Sequence, residues 1–209
     1  MTDLLIHSMA EFSSLIMPCL DKAKASSIAE IGSEFGGMSR VLADHCEAKG
    51  GTLTCIDPEP ADGFCEWAAG LAHVDHRALP SLDALPDCEA VDAWFVDGDH
   101  NYYTVFNELA AIDAVQRQAG KPVLAFLHDV SWPCARRDFY YAPERIPAGW
   151  RHPHSYDAGE RLDSGAAQPQ RGLRGMGHFA VALEAGAVLG LGIVFDAGAE
   201  WSTDLAEFL

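Results

Sequence analysis

The stretch Ile28-Ala29-Glu30-Ile31-Gly32-Ser33-Glu34-Phe35-Gly36-Gly37 decides the fold of this chain. It is typical of an apolar strand, a glycine-rich turn and the start of an amphipathic helix. Thr54-Cys55-Ile56-Asp57 then ends a second apolar strand on a single carboxylate. Glycines let backbone amides approach a ligand closely, and the carboxylate of Asp57 is placed to accept the two hydroxyls of a ribose. The pattern therefore predicts a nucleoside site between two parallel strands.

The spacing of the glycines indicates which class of ligand this loop binds. The sequence from Glu30 to Gly37 is Glu-x-Gly-x-x-x-Gly-Gly. Dinucleotide enzymes instead carry Gly-x-Gly-x-x-Gly, which seats a pyrophosphate at the N-terminus of the helix. A nucleoside without phosphates fits better, and S-adenosylmethionine is the leading candidate, whereas an NAD-dependent oxidoreductase is disfavoured. The alternative is that these glycines serve only as turn residues.

Composition indicates one domain spanning 1–209. Apolar residues make up 49% of the 209 residues, enough for a full core. The 31 acidic and 14 basic side chains give a formal charge of −17, so nucleic acid and anionic membranes are poor partners. Six scattered cysteines without a Cys-x-x-Cys pair argue against a zinc site or a disulfide framework. The N-terminus lacks the basic start of a signal peptide, so we expect a cytoplasmic protein.

Apolar periodicity predicts helices and strands in alternation. After an amphipathic N-terminal helix at 1–22, the alternation is typical of a parallel sheet with helices on both faces. Residues 131–177 break the pattern, and their aromatic content favours an ordered lid or insertion that specifies the second substrate. The predicted strands are 27–31, 52–57, 73–77, 91–96, 123–127, 179–183 and 189–195, and the later predicted helices are 39–49, 64–71, 102–118 and 201–209.

Titratable side chains follow the fourth and fifth predicted strands. Asp97, Asp99 and His100 come after one strand, and His128 and Asp129 come after the other, so the topology brings them to one edge of the sheet. Carboxylates favour Mg²⁺, and an imidazole among the ligands favours Mn²⁺ or Fe²⁺. A metal lowers the pKa of a substrate hydroxyl, and a nearby imidazole can accept the proton. The alternative is ordinary loop caps, which explains Asp99 best.

Four segments together resemble class I S-adenosylmethionine-dependent methyltransferases: 30–37, 55–57, 95–100 and 127–130. They are most similar to the bacterial branch that contains metal-dependent sugar and macrolide O-methyltransferases and cephalosporin hydroxylase-like proteins. The resemblance implies an α/β fold with a Rossmann-like, doubly wound, seven-stranded sheet, mostly parallel with an antiparallel last strand. It also implies that the cofactor lies over the first two strands and the acceptor over the fourth and fifth.

The resemblance assigns roles to individual residues. The implied cofactor-binding residues are Glu30, Gly32, Ser33, Gly36, Gly37, Asp57 and Asp97. The implied metal ligands are Asp97, His128 and Asp129, with His128 standing where an acidic residue is usual. His100, three residues after Asp97, corresponds to a general base, and these two residues form the implied catalytic pair.

The leading hypothesis is O-methylation of a hydroxyl on a small natural product or sugar, assisted by a divalent metal such as Mg²⁺ or Mn²⁺. Two alternatives keep the fold and the cofactor pocket: a non-methylating reaction such as hydroxylation or rearrangement, and nucleoside binding without catalysis. The expected partner is a small-molecule acceptor. The amphipathic N-terminal helix also allows a homo-oligomer in which it covers a neighbour's site.

Overall fold

The computed structural model describes residues 8–128, 141–148, 179–183 and 191–195. Asp129, most of the predicted lid and the predicted helix at 201–209 lie outside them. The helices within the described residues are α1 (Ser13–Ala23), α2 (Gly37–Lys49), α3 (Phe64–Ala69), α4 (Ser81–Ala84) and α5 (Tyr102–Ala119). The strands are β1 (Ser27–Ile31), β2 (Thr52–Ile56), β3 (Val74–Arg77), β4 (Ala93–Val96), β5 (Leu124–Leu127), β6 (Phe179–Leu183) and β7 (Leu191–Phe195).

The described part of the predicted N-terminal helix is interrupted. The Ser8 hydroxyl accepts the amide of Ala10 and caps a 3₁₀ turn, Met9–Phe12, which leads into α1. Met9, Ile16 and Leu20 are fully buried, so this entry element packs its apolar side against the core.

The strand, the glycine-rich turn and the helix that residues 28–37 predict are all present. β1 has the bounds expected for it, 27–31, because four of its five residues are buried in the sheet. α2 begins two residues earlier than predicted, directly after Gly36, whose φ of 74° only glycine adopts without strain. The helix ends at Gly50, also left-handed, whose amide donates to the carbonyls of Cys46 and Glu47.

The sheet has the strand order β3-β2-β1-β4-β5-β7-β6. β1 to β5 are parallel to one another, which confirms the predicted Rossmann-like α/β arrangement. β7 pairs antiparallel with β5, and β6 pairs antiparallel with β7. The order reverses between β1 and β4, and ligands of such sheets bind beyond the carboxyl ends of the strands at this switch point.

Two apolar cores lie on opposite faces of the sheet. Alternate residues of one strand point to opposite faces, so Phe95 joins the core beneath α1, α2 and α3, whereas Trp94 joins the core beneath α4 and α5. The rings of Phe95 and Phe126 stack with their centroids 4.9 Å apart across β4 and β5. Helices on both faces, as predicted, hold the five strand ends in a fixed relation.

β4 begins two residues later than predicted because side chains bind its expected start. The side-chain amide of Gln116 accepts the Val91 amide and donates to the Val91 carbonyl. The Asp92 carboxylate accepts the amides of Ser26 and Ser27.

In the part of the chain that the structure describes, no helix is both long and apolar enough to cross a membrane.

Candidate active site

The candidate site lies at the carboxyl edge of the sheet, around the switch point between β1 and β4. The glycine-rich loop follows β1, Asp57 follows β2, Asp97 to His100 follow β4, and His128 follows β5. The structure thus brings all the described site residues that the sequence predicts to one edge. Asp129 lies outside the described residues.

Gly32 permits a close contact between the loops that follow β1 and β4. Its φ is 83°, and a Cβ at this position would lie 2.2 Å from the carbonyl oxygen of Asp97. The space beside this glycine is therefore filled by the neighbouring loop, so loop packing alone already requires glycine. A Cβ on Gly36 would lie 2.4 Å from the Arg40 guanidinium, and Gly37 is the first residue of α2.

Glu30 connects the loop to α2 from inside the protein. Its carboxylate accepts the hydroxyl of Ser33, 3.1 Å away, and that of Ser39. Burial raises the pKa of Glu30 to about 7; the Ser39 and Ser33 hydroxyls lower it, and the charge of Asp97 raises it. The carboxylate is 2% exposed, so it acts on a ligand through the loop that it orients.

Asp57 is held by three backbone amides. Its Oδ2 accepts the amides of Ser33 at 2.8 Å and Glu34 at 2.9 Å, and its Oδ1 accepts the amide of Glu59 at 2.9 Å. Two carboxylate oxygens offer about four lone-pair sites, so about one acceptor site is left in this arrangement. That suffices for one ribose hydroxyl, fewer than the two the sequence suggested. Asp57 therefore also shapes the loop.

The N-terminus of α2 opens onto the same loop. Within the described residues no side chain caps it, since Gly36 stands at the cap. Exposed amides at a helix N-terminus attract an anionic group. Arg40 stiffens the turn: its Nη1 donates to the carbonyls of Phe35 at 2.8 Å and Gly36 at 2.9 Å. Its guanidinium also lies 4.8 Å from the centre of the Trp67 ring.

Asp97 contacts both histidines of the predicted catalytic region. Its Oδ1 lies 3.0 Å from Nδ1 of His128 and 3.5 Å from Nε2 of His100. Both contacts would be ion pairs when the imidazoles are protonated. The ring of Phe12 lies edge-on to His128 with 6.0 Å between centroids, so the entry element covers this chain's own site.

The described residues do not form a metal site by themselves. Among residues 8–128 and the three later described segments, no group of three His, Cys, Asp or Glu side chains is arranged to hold an ion. Two of the predicted ligands, Asp97 and His128, contact each other directly. The third predicted ligand, Asp129, lies outside the described residues.

Two acidic residues behind the site were not predicted to have these roles. Asp99 accepts the Thr104 hydroxyl at 3.3 Å and the Tyr141 amide at 3.2 Å, so it joins two segments. Glu108 is buried in α5 and accepts the Ser81 hydroxyl at 2.5 Å. Its Oε2 has no hydrogen-bond partner within the described part of the chain. The burial of Glu108 could have been predicted from the sequence, because helical spacing places residue 108 on the α5 face that carries the apolar residues 105, 109 and 112.

Glu108→Gln is expected to stabilise the protein at alkaline pH. Burial raises the pKa of Glu108 to about 7; the Ser81 hydroxyl lowers it, and the charge of Asp99 raises it. A raised folded-state pKa gives stability that is complete below the unfolded value of 4.5 and is lost as the pH rises through about 7. The Glu108→Gln variant stays neutral and does not lose this stability. Its free energy of unfolding should therefore exceed that of the unmodified protein by on the order of 1–3 kcal/mol at pH 8, and by much less at pH 5.

Chemical denaturation at pH 5 and pH 8 checks this prediction. Glu47→Gln, at an exposed position on α2, is the matched control and should follow the unmodified protein at both values. Equal pH dependence in the Glu108→Gln variant and the unmodified protein would contradict the prediction. Glu30 titrates in the same range, so part of the slope is expected to persist in both proteins.

Comparison with known proteins gives one match to a family model. Residues 29–130 match a family model described as a methyltransferase domain. This match includes the glycine-rich loop, Asp57, the segment from Asp97 to His100, and His128. No curated protein sequence matches the chain significantly.

Solved structures share the fold. The O-methyltransferase TomG from Streptomyces achromogenes, involved in tomaymycin synthesis and solved in complex with SAM, superposes with a TM-score of 0.63 at 20% identity, covering 90% of this chain and 80% of that one. An O-methyltransferase from Bacillus cereus in complex with SAH superposes with a TM-score of 0.56 at 18% identity, covering 90% of this chain and 83% of that one. The 1,6-didemethyltoxoflavin-N1-methyltransferase of Burkholderia thailandensis superposes with a TM-score of 0.54 at 15% identity, covering 92% of this chain and 80% of that one.

Proposed function

We propose that the protein is an S-adenosylmethionine-dependent methyltransferase that methylates a hydroxyl oxygen of a small natural product or sugar. Residues 29–130 match a methyltransferase domain, and the sheet has the fold of solved O-methyltransferases, which supports this proposal. The observation that carries this proposal is the contact of Asp97 with His100 and His128 beside the glycine-rich loop. This contact supports a proton acceptor next to the proposed cofactor position.

In our proposal the cofactor lies over β1 and β2. The open N-terminus of α2 receives the methionine carboxylate, and Asp57 accepts a ribose hydroxyl with its remaining lone pair. Gly32, Ser33, Gly36 and Gly37 supply the loop backbone, Glu30 orients it, and Asp97 contacts the methionine end. The carboxylates of this groove also attract a sulfonium cation, which suits the positively charged substrate better than its neutral product.

The chemistry needs little more than alignment and a base. The acceptor oxygen attacks the methyl carbon, the carbon–sulfur bond breaks, and its electron pair stays on sulfur, giving S-adenosylhomocysteine and a methyl ether. Holding oxygen, carbon and sulfur in line supplies much of the rate enhancement. The hydroxyl proton passes to the imidazole of His100, which lies beside Asp97. His128 contacts the same carboxylate oxygen of Asp97.

A divalent metal on Asp97, His128 and Asp129 stays a prediction. When bound there, Mg²⁺ or Mn²⁺ would lower the pKa of the acceptor hydroxyl. Asp97 and His128 would hold the ion only together with Asp129, so no step above passes through it. The second substrate is proposed to lie over β4 and β5.

We expect the purified protein to release S-adenosylhomocysteine when it is incubated with S-adenosylmethionine and a panel of sugars, phenols and hydroxylated natural products. Mass spectrometry should locate one added methyl group on an acceptor oxygen. Reactions after treatment with EDTA, with and without added Mg²⁺ or Mn²⁺, test the metal. Methylation only at nitrogen or carbon would overturn the O-methylation proposal. A product that has gained oxygen, or that has rearranged without release of S-adenosylhomocysteine, would favour the non-methylating alternative.

A further inference from the structure

Residues 141–148 contact the loop that follows β4 and the helix α4, at the carboxyl edge of the sheet. At one end the backbone amide of Tyr141 donates to the Asp99 carboxylate, 3.2 Å away, beyond β4. Desolvation and the negative charge of Glu59, beyond β2, raise the pKa of the Tyr141 hydroxyl, which therefore lies near Glu59. β1 lies between β2 and β4, so Tyr141 lies beside the loop that follows β1.

The dimensions of the sheet agree with this position of Tyr141. Neighbouring strands lie about 4.8 Å apart, so the ends of β2 and β4 are about 10 Å apart. A tyrosine together with two acidic side chains covers that distance. Tyr141 is 52% exposed, although large apolar side chains are usually covered. The ring therefore offers an uncovered flat surface beside the proposed nucleoside position.

A second contact joins the same segment to α4. Arg145 makes a two-pronged ion pair with Asp83 of α4, with Nη1 2.6 Å from Oδ2 and Nη2 close to Oδ1. Ile146, next in the chain, is buried. The ion pair is almost half exposed, and exposed ion pairs stabilise weakly, so this contact can open and close easily.

We propose that residues 141–148 form a strap over bound S-adenosylmethionine, in which Tyr141 covers the nucleoside and the Arg145–Asp83 pair holds the closed position. This inference rests on the proposed function and adds two cofactor-positioning residues to it. It assigns residues 141–148 to the cofactor, while the rest of the predicted lid at 131–177 keeps its predicted role toward the acceptor. The hydrogen bonds of residues 141–148 reach Asp99, which follows β4, and Asp83, which follows β3.

Stopped-flow measurement of S-adenosylhomocysteine release tests the strap. Tyr141→Ala and Asp83→Asn should each accelerate release, Tyr141→Ala by about tenfold, because affinity changes of this kind fall mainly on dissociation. The acceptor KM at saturating cofactor should stay unchanged. The exchanged pair Asp83→Arg with Arg145→Asp should restore slow release, which a merely structural role for either residue does not predict.

Asp113→Asn is the matched control, since it breaks a comparable Arg–Asp pair with Arg117 on α5, near the opposite end of that helix from the site. It should release product as the unmodified protein does. Unchanged release from Tyr141→Ala, together with a raised acceptor KM, would overturn the strap and make the segment an acceptor element. If the unmodified protein itself binds neither S-adenosylmethionine nor S-adenosylhomocysteine, the proposed function fails instead.

Discussion

Asp57→Asn is expected to raise the Kd of S-adenosylmethionine by roughly 30- to 100-fold, because hydrogen bonds to a charged group contribute about 1.5–3 kcal/mol each. The carboxylate accepts three backbone amides, two of them from the glycine-rich loop. Asparagine keeps one acceptor oxygen and turns an NH₂ group toward the remaining donors. The substitution therefore weakens the loop and leaves no acceptor for the ribose.

Isothermal titration calorimetry measures this loss, with Asp44→Asn on the exposed side of α2 as the control of equal charge change. The two effects of Asp57 can be separated with adenosine and 2′,3′-dideoxyadenosine. If Asp57 accepts a ribose hydroxyl, the unmodified protein should prefer adenosine, and Asp57→Asn should lose that preference. Equal discrimination by both proteins would leave Asp57 with the loop role alone. Unchanged binding of S-adenosylmethionine by Asp57→Asn would contradict both roles.

The first half of the site was predictable because it is local in sequence. A buried strand, a turn that needs glycine and a helix follow one another without interruption from Ser27 to Lys49, and each has a strong pattern of its own. The meeting of Asp97 with His128 was also predictable, although 31 positions separate them, because parallel strands end at the same edge. The topology of the sheet, and not the spacing along the chain, brings Asp97 and His128 together.

The remaining features depend on contacts that no local pattern encodes. Gln116 binds the backbone at Val91 and so moves the start of β4, and only the packing of α5 on the sheet brings the two together. Tyr141 lies in a segment without periodicity, so its contact with Asp99 could not be inferred from spacing. Asp99 itself looked like a turn residue, which is correct for its bond to Thr104 and incomplete for the rest.

His100→Ala is expected to lower kcat by about 10²- to 10⁴-fold, the usual contribution of a positioned general base. The Kd of S-adenosylmethionine should change little, because His100 follows β4, on the acceptor side of Asp97 in our proposal. His73→Asn is the control: that imidazole bonds the Ala43 carbonyl at 3.1 Å, away from the strand ends that carry the site. Steady-state kinetics with the acceptor found in the product assay, together with calorimetry of cofactor binding, provide the measurement.

The acidity of the acceptor distinguishes a base from a residue that only shapes the pocket. A base matters only while the hydroxyl still holds its proton, so the loss of kcat in His100→Ala should shrink along a series of phenols of falling pKa. For a phenol that is already ionised at the assay pH, the variant should approach the unmodified protein. A loss of kcat that stays constant across the series would contradict proton acceptance by His100 and leave it a positioning residue beside Asp97. His128→Asn, which removes the second imidazole on Asp97, should slow all acceptors alike, since it disturbs the carboxylate that orients His100.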